Sequence, residues 1–429
     1  MRKPAPVPTS GSVGAVQTRY LDLPEPISLE CGRELHSVRV AYETYGTLSP
    51  VRDNVILVCH ALSGDAHAAG SSSSSTETSH AGTRDGFAAE DRDGASGAGL
   101  GWWDGMIGPG KAFDTDRYFV VSTNLLGGCR GTTGPSSTNP DTGLPYGPDF
   151  PVITVADMVR TQRAFLDALG IRQLAAVAGG SLGGMQALQW AILFPDQVRA
   201  AIAIASTHAL HPQGVAWNAI AREAIMADPD WQDGRYAGTG REPGAGMGVA
   251  RMVGHVTYLS AAALHTKFGR RLQAAEDIRH TITEPEFAVE SYLRHQAGSF
   301  VKRFDANTYL YLSRALTYFD LARQHGDGSL ERALEDVRAR VLLIAFSSDW
   351  LYPPTASQEI ADALTALGKP VEYHLIEAPY GHDSFLLEEG RQIPIVRRFL
   401  NDDSFLNEDS TETNSGPETA SITETKRSP

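Results

Sequence analysis

The sequence predicts an α/β fold in which helices cover both faces of a mostly parallel sheet and a further helical block is inserted as a lid. Three observations predict it. Short apolar runs alternate with amphipathic segments along most of the chain, strand signals stop for well over a hundred residues after about position 206, and they resume near Val341. Two separate domains in series would leave the last two strands with no sheet to join, so the helices read as an insertion into one core.

Taken in chain order, NVILVCH (54–60), RYFVVSTN (117–124), QLAAVAGG (173–180), AAIAIAS (200–206), VLLIAFSSD (341–349) and VEYHLIE (371–377) read as buried strands. TVADMVRTQRAFLDALG (154–170) reads as a helix. Thr154 with Asp157 makes a capping box, Val155, Met158, Gln162, Phe165 and Leu169 share one face, and Gly170 closes the end. A second helix runs from Leu182 to Phe194, with Met185, Leu188 and Ile192 as its buried face and Pro195 as its stop. GVAWNAIAREAIMADP, MGVARMVGHVTYL, EFAVESYLRHQAGSFVKRF and TYLYLSRALTYF are the clearest helices of the inserted block. The expected division is a first core part over 15–206, with a flexible Ser- and Gly-rich insertion at about 66–100. A helical lid over 207–330, a second core part over 331–400 and a disordered acidic tail over 401–429 complete it.

Composition narrows the function. The 429 residues carry a net charge of −14 with no basic block, which argues against nucleic-acid binding. About a third of that charge lies in the tail, so the folded part is less acidic than the total suggests. No apolar run approaches the roughly 20 residues that span a bilayer. Pro, Ser and Gly follow the two N-terminal cations where a signal peptide needs an apolar stretch, so a cytoplasmic protein is expected. Cys31, Cys59 and Cys129 are too few and too scattered for a disulfide framework or a structural zinc site.

The sharpest local signal is Gly179-Gly180-Ser181-Leu182-Gly183-Gly184 between a strand and a helix. A strand turning sharply into a helix crowds backbone against backbone. Glycines at the first and last motif positions remove the side chains that would clash, leaving Ser181 in a strained turn near the positive helix end. A plain surface turn can show the same letters; the strand and helix context makes this a nucleophile elbow. A serine hydroxyl needs a base, and the base needs a carboxylate to hold its tautomer. Asp349 after VLLIAFSS and His382 after VEYHLIEAPYG arrive in the required order at strand ends. Asp349 alone would more often be a helix cap, and most of the 13 histidines need no role. Their joint occurrence with the elbow selects Ser181, Asp349 and His382.

Acyl transfer also needs donors for the tetrahedral oxyanion. The backbone N–H of Leu182 is one, and Leu62 in the loop after VILVC is expected to supply the second. GPGK (108–111) lacks phosphate-loop spacing, and His60 with His67 matches no common metal pattern, so neither a cofactor nor a metal is expected. An exposed serine with its base serves an esterase, a peptidase, a thioesterase or an acyltransferase equally well.

HALSGDAH (60–67), GWWDGMIGPGKAFDTDRYFVVSTNLLGGCRGTTGP (101–135), YGPDFP (146–151), AGGSLGGMQALQW (178–190), RFDANTYL (303–310), SSDWLYPP (347–354) and YGHDSFL (380–386) together resemble the homoserine O-acyltransferase family, in order, over about residues 15–400. The resemblance implies an α/β-hydrolase fold with a helical lid and ping-pong transfer from acyl-CoA to the hydroxyl of L-homoserine. It implies that Arg222 holds the amino acid's carboxylate and Asp383 its ammonium, and that the chain forms a homodimer through lid helices. Members that look like succinyl users tend to carry Arg after the Asp-Trp pair that includes the catalytic Asp. Here that place is Leu351, which favours acetyl-CoA over succinyl-CoA; Arg130 also occurs in sequences resembling acetyl users. L-serine as acceptor and hydrolysis by an esterase or thioesterase stay open.

Overall fold

A computed structural model describes residues 11–72 and 99–402. Its centre is an eight-stranded sheet of β1 Arg19–Asp22, β2 Arg39–Tyr45, β3 Val55–Cys59, β4 Phe119–Thr123, β5 Ala176–Gly180, β6 Ala200–Ile204, β7 Arg340–Phe346 and β8 Val371–Ile376. The spatial order is β8-β7-β6-β5-β3-β4-β2-β1. Every neighbouring pair is parallel except β2 with β4 and β1 with β2. Both faces are covered, because period-two alternation sends Val55, Leu57 and Cys59 into one hydrophobic cluster and Ile56 and Val58 into the other.

Helices α1 Val155–Ala168 and α2 Leu182–Leu193 pack with the first cluster. The capping box is present: Asp157 N donates to Thr154 Oγ1 at 3.2 Å, and Thr154 N donates to Asp157 Oδ2 at 3.0 Å. Gly170 closes the end at φ 70°. One expectation is corrected here. The second helix has no single buried face, because Leu182 through Ala191 are all buried between α1 and strands β5 and β6. Its polar Gln186 is satisfied inside that layer, accepting from Gln162 Nε2 at 2.8 Å.

The stretch from 207 to 330 holds α3 Pro212–Met226, α4 Gly244–Tyr258, α5 Ala261–Phe268, α6 Ala288–Val301 and α7 Ala306–Tyr318. Helix α3 packs on α4 and α7, and α4 packs on α6. A Cβ on Gly246 would meet Ala224 O at 2.2 Å, so glycine permits the α3–α4 crossing. After β7, α8 Pro354–Ala366 and α9 Glu389–Asn401 return to the core.

The first part of the stretch expected as a flexible insertion at 66–100 is packed into the fold. Ala66, Ala68 and Ala69 are buried, and Ser71–Ser72 pairs in parallel with Ala15–Val16. Glu43, buried in the sheet, accepts from Thr18 Oγ1 at 2.7 Å and Tyr45 OH at 2.9 Å and pairs with His67 Nδ1 at 2.9 Å, which ties this stretch to β2. Residues 73–98 of that insertion, and the tail from 403 onward, lie outside the described residues.

Candidate active site

Parallel strands end on one edge of the sheet, and the loops leaving those ends bring the candidate residues together. Ser181 follows β5 with φ 57° and ψ −121°, a conformation that a non-glycine residue holds only when its surroundings enforce it. Those surroundings are the glycines. A Cβ on Gly179 would meet Gly183 C at 2.4 Å, and one on Gly183 would meet Cys59 O at 2.0 Å. Ser181 N donates to Ile204 O at 2.9 Å, and Ser206 Oγ donates to Ser181 O at 3.0 Å, fixing the turn from the β6 side.

The side chains separated by two hundred positions meet. His382 Nε2 lies 2.9 Å from Ser181 Oγ, and His382 Nδ1 lies 2.7 Å from Asp349 Oδ2. Asp349 Oδ1 accepts from the N–H groups of Leu351 at 3.0 Å and Tyr352 at 2.9 Å, so its carboxylate is pinned with one oxygen turned to the imidazole. His382 sits in a short turn made possible by Gly381 at φ 77°, where a Cβ would meet Ser260 N at 2.5 Å. Tyr352 and Phe385 pack against its ring with centroids 5.0 and 5.4 Å away. In this arrangement Nδ1–H points at the carboxylate and Nε2 can accept the serine proton.

The loop Ala61–Ser63 lines the same cavity as Ser181. The N–H groups of Leu62 and Leu182 donate to no described residue. What shapes this loop was not visible in the sequence. His60 is buried, with Nδ1 2.6 Å from Ala61 O and Nε2 held between Asn124 Oδ1 at 3.0 Å and Leu125 N at 3.2 Å. Burial pushes its pKa down, and the ring braces the loop from both nitrogens. A Cβ on Gly64 would meet His60 Cβ at 2.8 Å, so the turn closes directly on the imidazole.

The cavity at Ser181, of about 80 Å³, is roofed by Trp217 and Asn218 of α3, Tyr258 of α4 and Tyr309 and Leu316 of α7. Asp383 is on its wall, and burial pushes the carboxyl up to about 6 despite the cations Arg251 and Lys267 nearby. Arg222 is not among the lining residues. It stands one helical turn beyond Asn218, buried, with Nη1 donating to Ser313 O at 3.2 Å and Thr317 Oγ1 at 3.1 Å. It has no carboxylate partner among the described residues, and burial lowers its pKa. Among the described residues no group of three or more His, Cys, Asp or Glu is disposed to hold a metal. No helix there is long and apolar enough to cross a membrane.

The α/β hydrolase fold family matches residues 54–389. A homoserine O-acetyltransferase of Methanosphaerula palustris is 54% identical over 391 residues, covering 91% of this chain and 74% of that protein. A homoserine O-succinyltransferase of Stutzerimonas stutzeri is 49% identical over 398 residues, covering 93% and 99%. The crystal structure of homoserine O-acetyltransferase from Bacillus anthracis matches with a TM-score of 0.79 at 33% identity, covering 90% of this chain and 98% of that one. Esterase E22 matches at 0.76 and 32%, covering 90% and 100%. With this identity over nine-tenths of its length, the chain belongs to the homoserine O-acyltransferase family of α/β hydrolases.

Proposed function

We propose that the chain transfers an acetyl group from acetyl-CoA to the side-chain hydroxyl of L-homoserine, giving O-acetyl-L-homoserine and CoA. The observation that carries this reading is the relay of Ser181, His382 and Asp349 at 2.9 and 2.7 Å under a helical roof. His382 Nε2 takes the Ser181 proton as Oγ attacks the thioester carbonyl. The oxyanion meets the N–H groups of Leu62 and Leu182, and CoA leaves as the thiol with the proton from His382. His382 then takes the homoserine hydroxyl proton, that oxygen attacks the acetyl-serine, and the proton returns to Ser181 as the ester departs.

Arg222 and Asp383 are the proposed anchors for the acceptor's carboxylate and ammonium. Arg222, a buried cation with no carboxylate partner among the described residues, and Asp383, a carboxyl on the cavity wall, suit the two ends of a zwitterion, and holding both ends presents the hydroxyl to the ester. Acetyl is favoured over succinyl because the cavity lining contains no lysine or arginine, with Leu351 on its wall. A succinyl carboxylate buried there would compete with the acceptor's for Arg222. Action as a cytoplasmic homodimer belongs to the same reading; half-exposed Ile220 on α3 and Val249 on α4 give the helical block apolar surface to cover.

Thiol release from acetyl-CoA, measured with and without L-homoserine, tests the reading. Release should rise many-fold with homoserine and give O-acetylhomoserine; a rate indifferent to homoserine identifies a hydrolase. The same assay with succinyl-CoA and with L-serine should be slower, the shorter acceptor by the roughly 10- to 200-fold that one methylene is worth.

A further inference from the structure

Two wider cavities flank the one at Ser181, and their charges differ. One, of about 460 Å³, shares Asp383 with the Ser181 cavity and carries Lys267 beside Asp383 and Glu388; its His255 is held neutral, its pKa driven down to about 2 by burial and by Arg251 and Arg303. The other, of about 530 Å³, is lined by Arg130, Lys302 and Arg303. Of the two carboxylates on its wall, Asp305 is taken up in capping α7, accepting from Thr308 N at 2.7 Å, and in a bond from Tyr236 OH. Glu242 lies on the surface. None of Arg130, Lys302 and Arg303 forms an ion pair with a carboxylate among the described residues.

Arg303 joins this second cavity to the chemistry. Its Nη1 donates to Ser63 O at 3.2 Å, and Ser63 lines the Ser181 cavity. Its Nη2 is buried without a hydrogen bond among the described residues. Burial and the like charges of Arg251 and Arg130 hold its pKa down to about 10, a crowding of cations that a bound anion relieves. Arg130 follows β4, so the cavity opens at the same strand edge as the oxyanion loop.

We propose that the cavity lined by Arg130, Lys302 and Arg303 seats the phosphate-bearing end of the acyl-CoA donor while its thioester reaches Ser181. This rests on the acyltransfer reading above and adds where the donor binds. Guanidinium and ammonium groups left without carboxylates at an open, roomy cavity match several phosphates, which stay partly hydrated there while the apolar thioester goes deeper. The flanking cavity with Lys267 lacks that excess of cations.

Titration calorimetry of the full chain with adenosine 3′,5′-bisphosphate tests the site without turnover. The wild type should bind it, more weakly as salt rises. Arg130→Ala with Lys302→Ala, two exposed positions, should weaken binding at least about tenfold, the loss of roughly one charge-assisted contact. The preference for acetyl-CoA over acetyl-pantetheine, which lacks these phosphates, should fall in step. No binding by the wild type, equal binding by the double variant, or the loss appearing instead on Lys267→Ala overturns the proposal. If bisphosphate binding depends on Arg130 and Lys302 while homoserine has no effect on thiol release, the functional reading fails and the phosphate site stands.

Discussion

The sheet-edge half of the site and the lid half satisfy their polar groups in opposite ways. At the sheet edge the three relay residues are answered within the chain: Asp349 by two backbone N–H groups and His382, His382 by Ser181, and the Ser181 backbone by Ile204 and Ser206. In the lid, among the described residues, buried Arg222 meets only a carbonyl and a hydroxyl, and Arg303 keeps a buried nitrogen without a partner. On the proposed reading, the proton relay is thus complete before substrate arrives, as preorganisation requires, whereas the proposed binding residues carry charge for the substrate to neutralise.

Substitutions can break this contrast. The largest effect is expected at Ser181→Ala, which should reduce homoserine-dependent thiol release on the order of ten-thousandfold or more without lowering the melting temperature. Gly183→Ala should act on the fold instead. Its Cβ would sit 2.0 Å from a backbone oxygen that cannot swing aside, and denaturant titration should show a loss of at least about 3 kcal/mol.

Asp383→Asn sharpens the lid side. It should lower kcat/KM for homoserine about 100-fold through loss of a buried charge-assisted contact. Because burial lifts the Asp383 carboxyl to about 6, the wild-type kcat/KM for homoserine should decline as pH falls through 6. The stability consequence has the opposite direction. A carboxyl raised in the fold favours its protonated form, so its contribution is full below the unfolded pKa near 3.8 and is lost as pH rises through about 6. Asp383→Asn should therefore melt higher than the wild type above pH 6, gaining stability where it loses binding.

Arg222→Lys should raise KM for homoserine about tenfold and leave KM for acetyl-CoA unmoved, since lysine keeps the charge and loses the planar fork. The smallest effect is expected away from both halves. Thr154→Ala should cost about 1 kcal/mol of stability by denaturant titration, through the lost cap of α1, and leave turnover unchanged.

The legible parts of this molecule were the ones written in consecutive residues. The elbow was readable because its glycines, serine and following helix are neighbours in the chain, and the capping box of α1 spans four positions. Asp349 and His382 could be selected because each follows a strand, and a parallel sheet gathers the ends of its strands on one edge. Leu62 was expected by the same rule, from the loop after β3, and it lines the Ser181 cavity. The burial of α2 on all sides was missed because periodicity within one helix cannot say how many layers cover it.

His60 tied to Leu125 beneath the loop 61–63, Glu43 securing His67 and Arg303 bridging to Ser63 left no local mark; each joins residues 24 to 240 positions apart. By itself, then, the sequence determined the strand order of the chemistry, the nucleophile's turn and the presence of an inserted helical block, since backbone sterics and hydrophobic periodicity act over a few residues. Only the tertiary structure decided which charges are buried without counterions, because desolvation depends on everything that packs around a group and not on its neighbours in the chain.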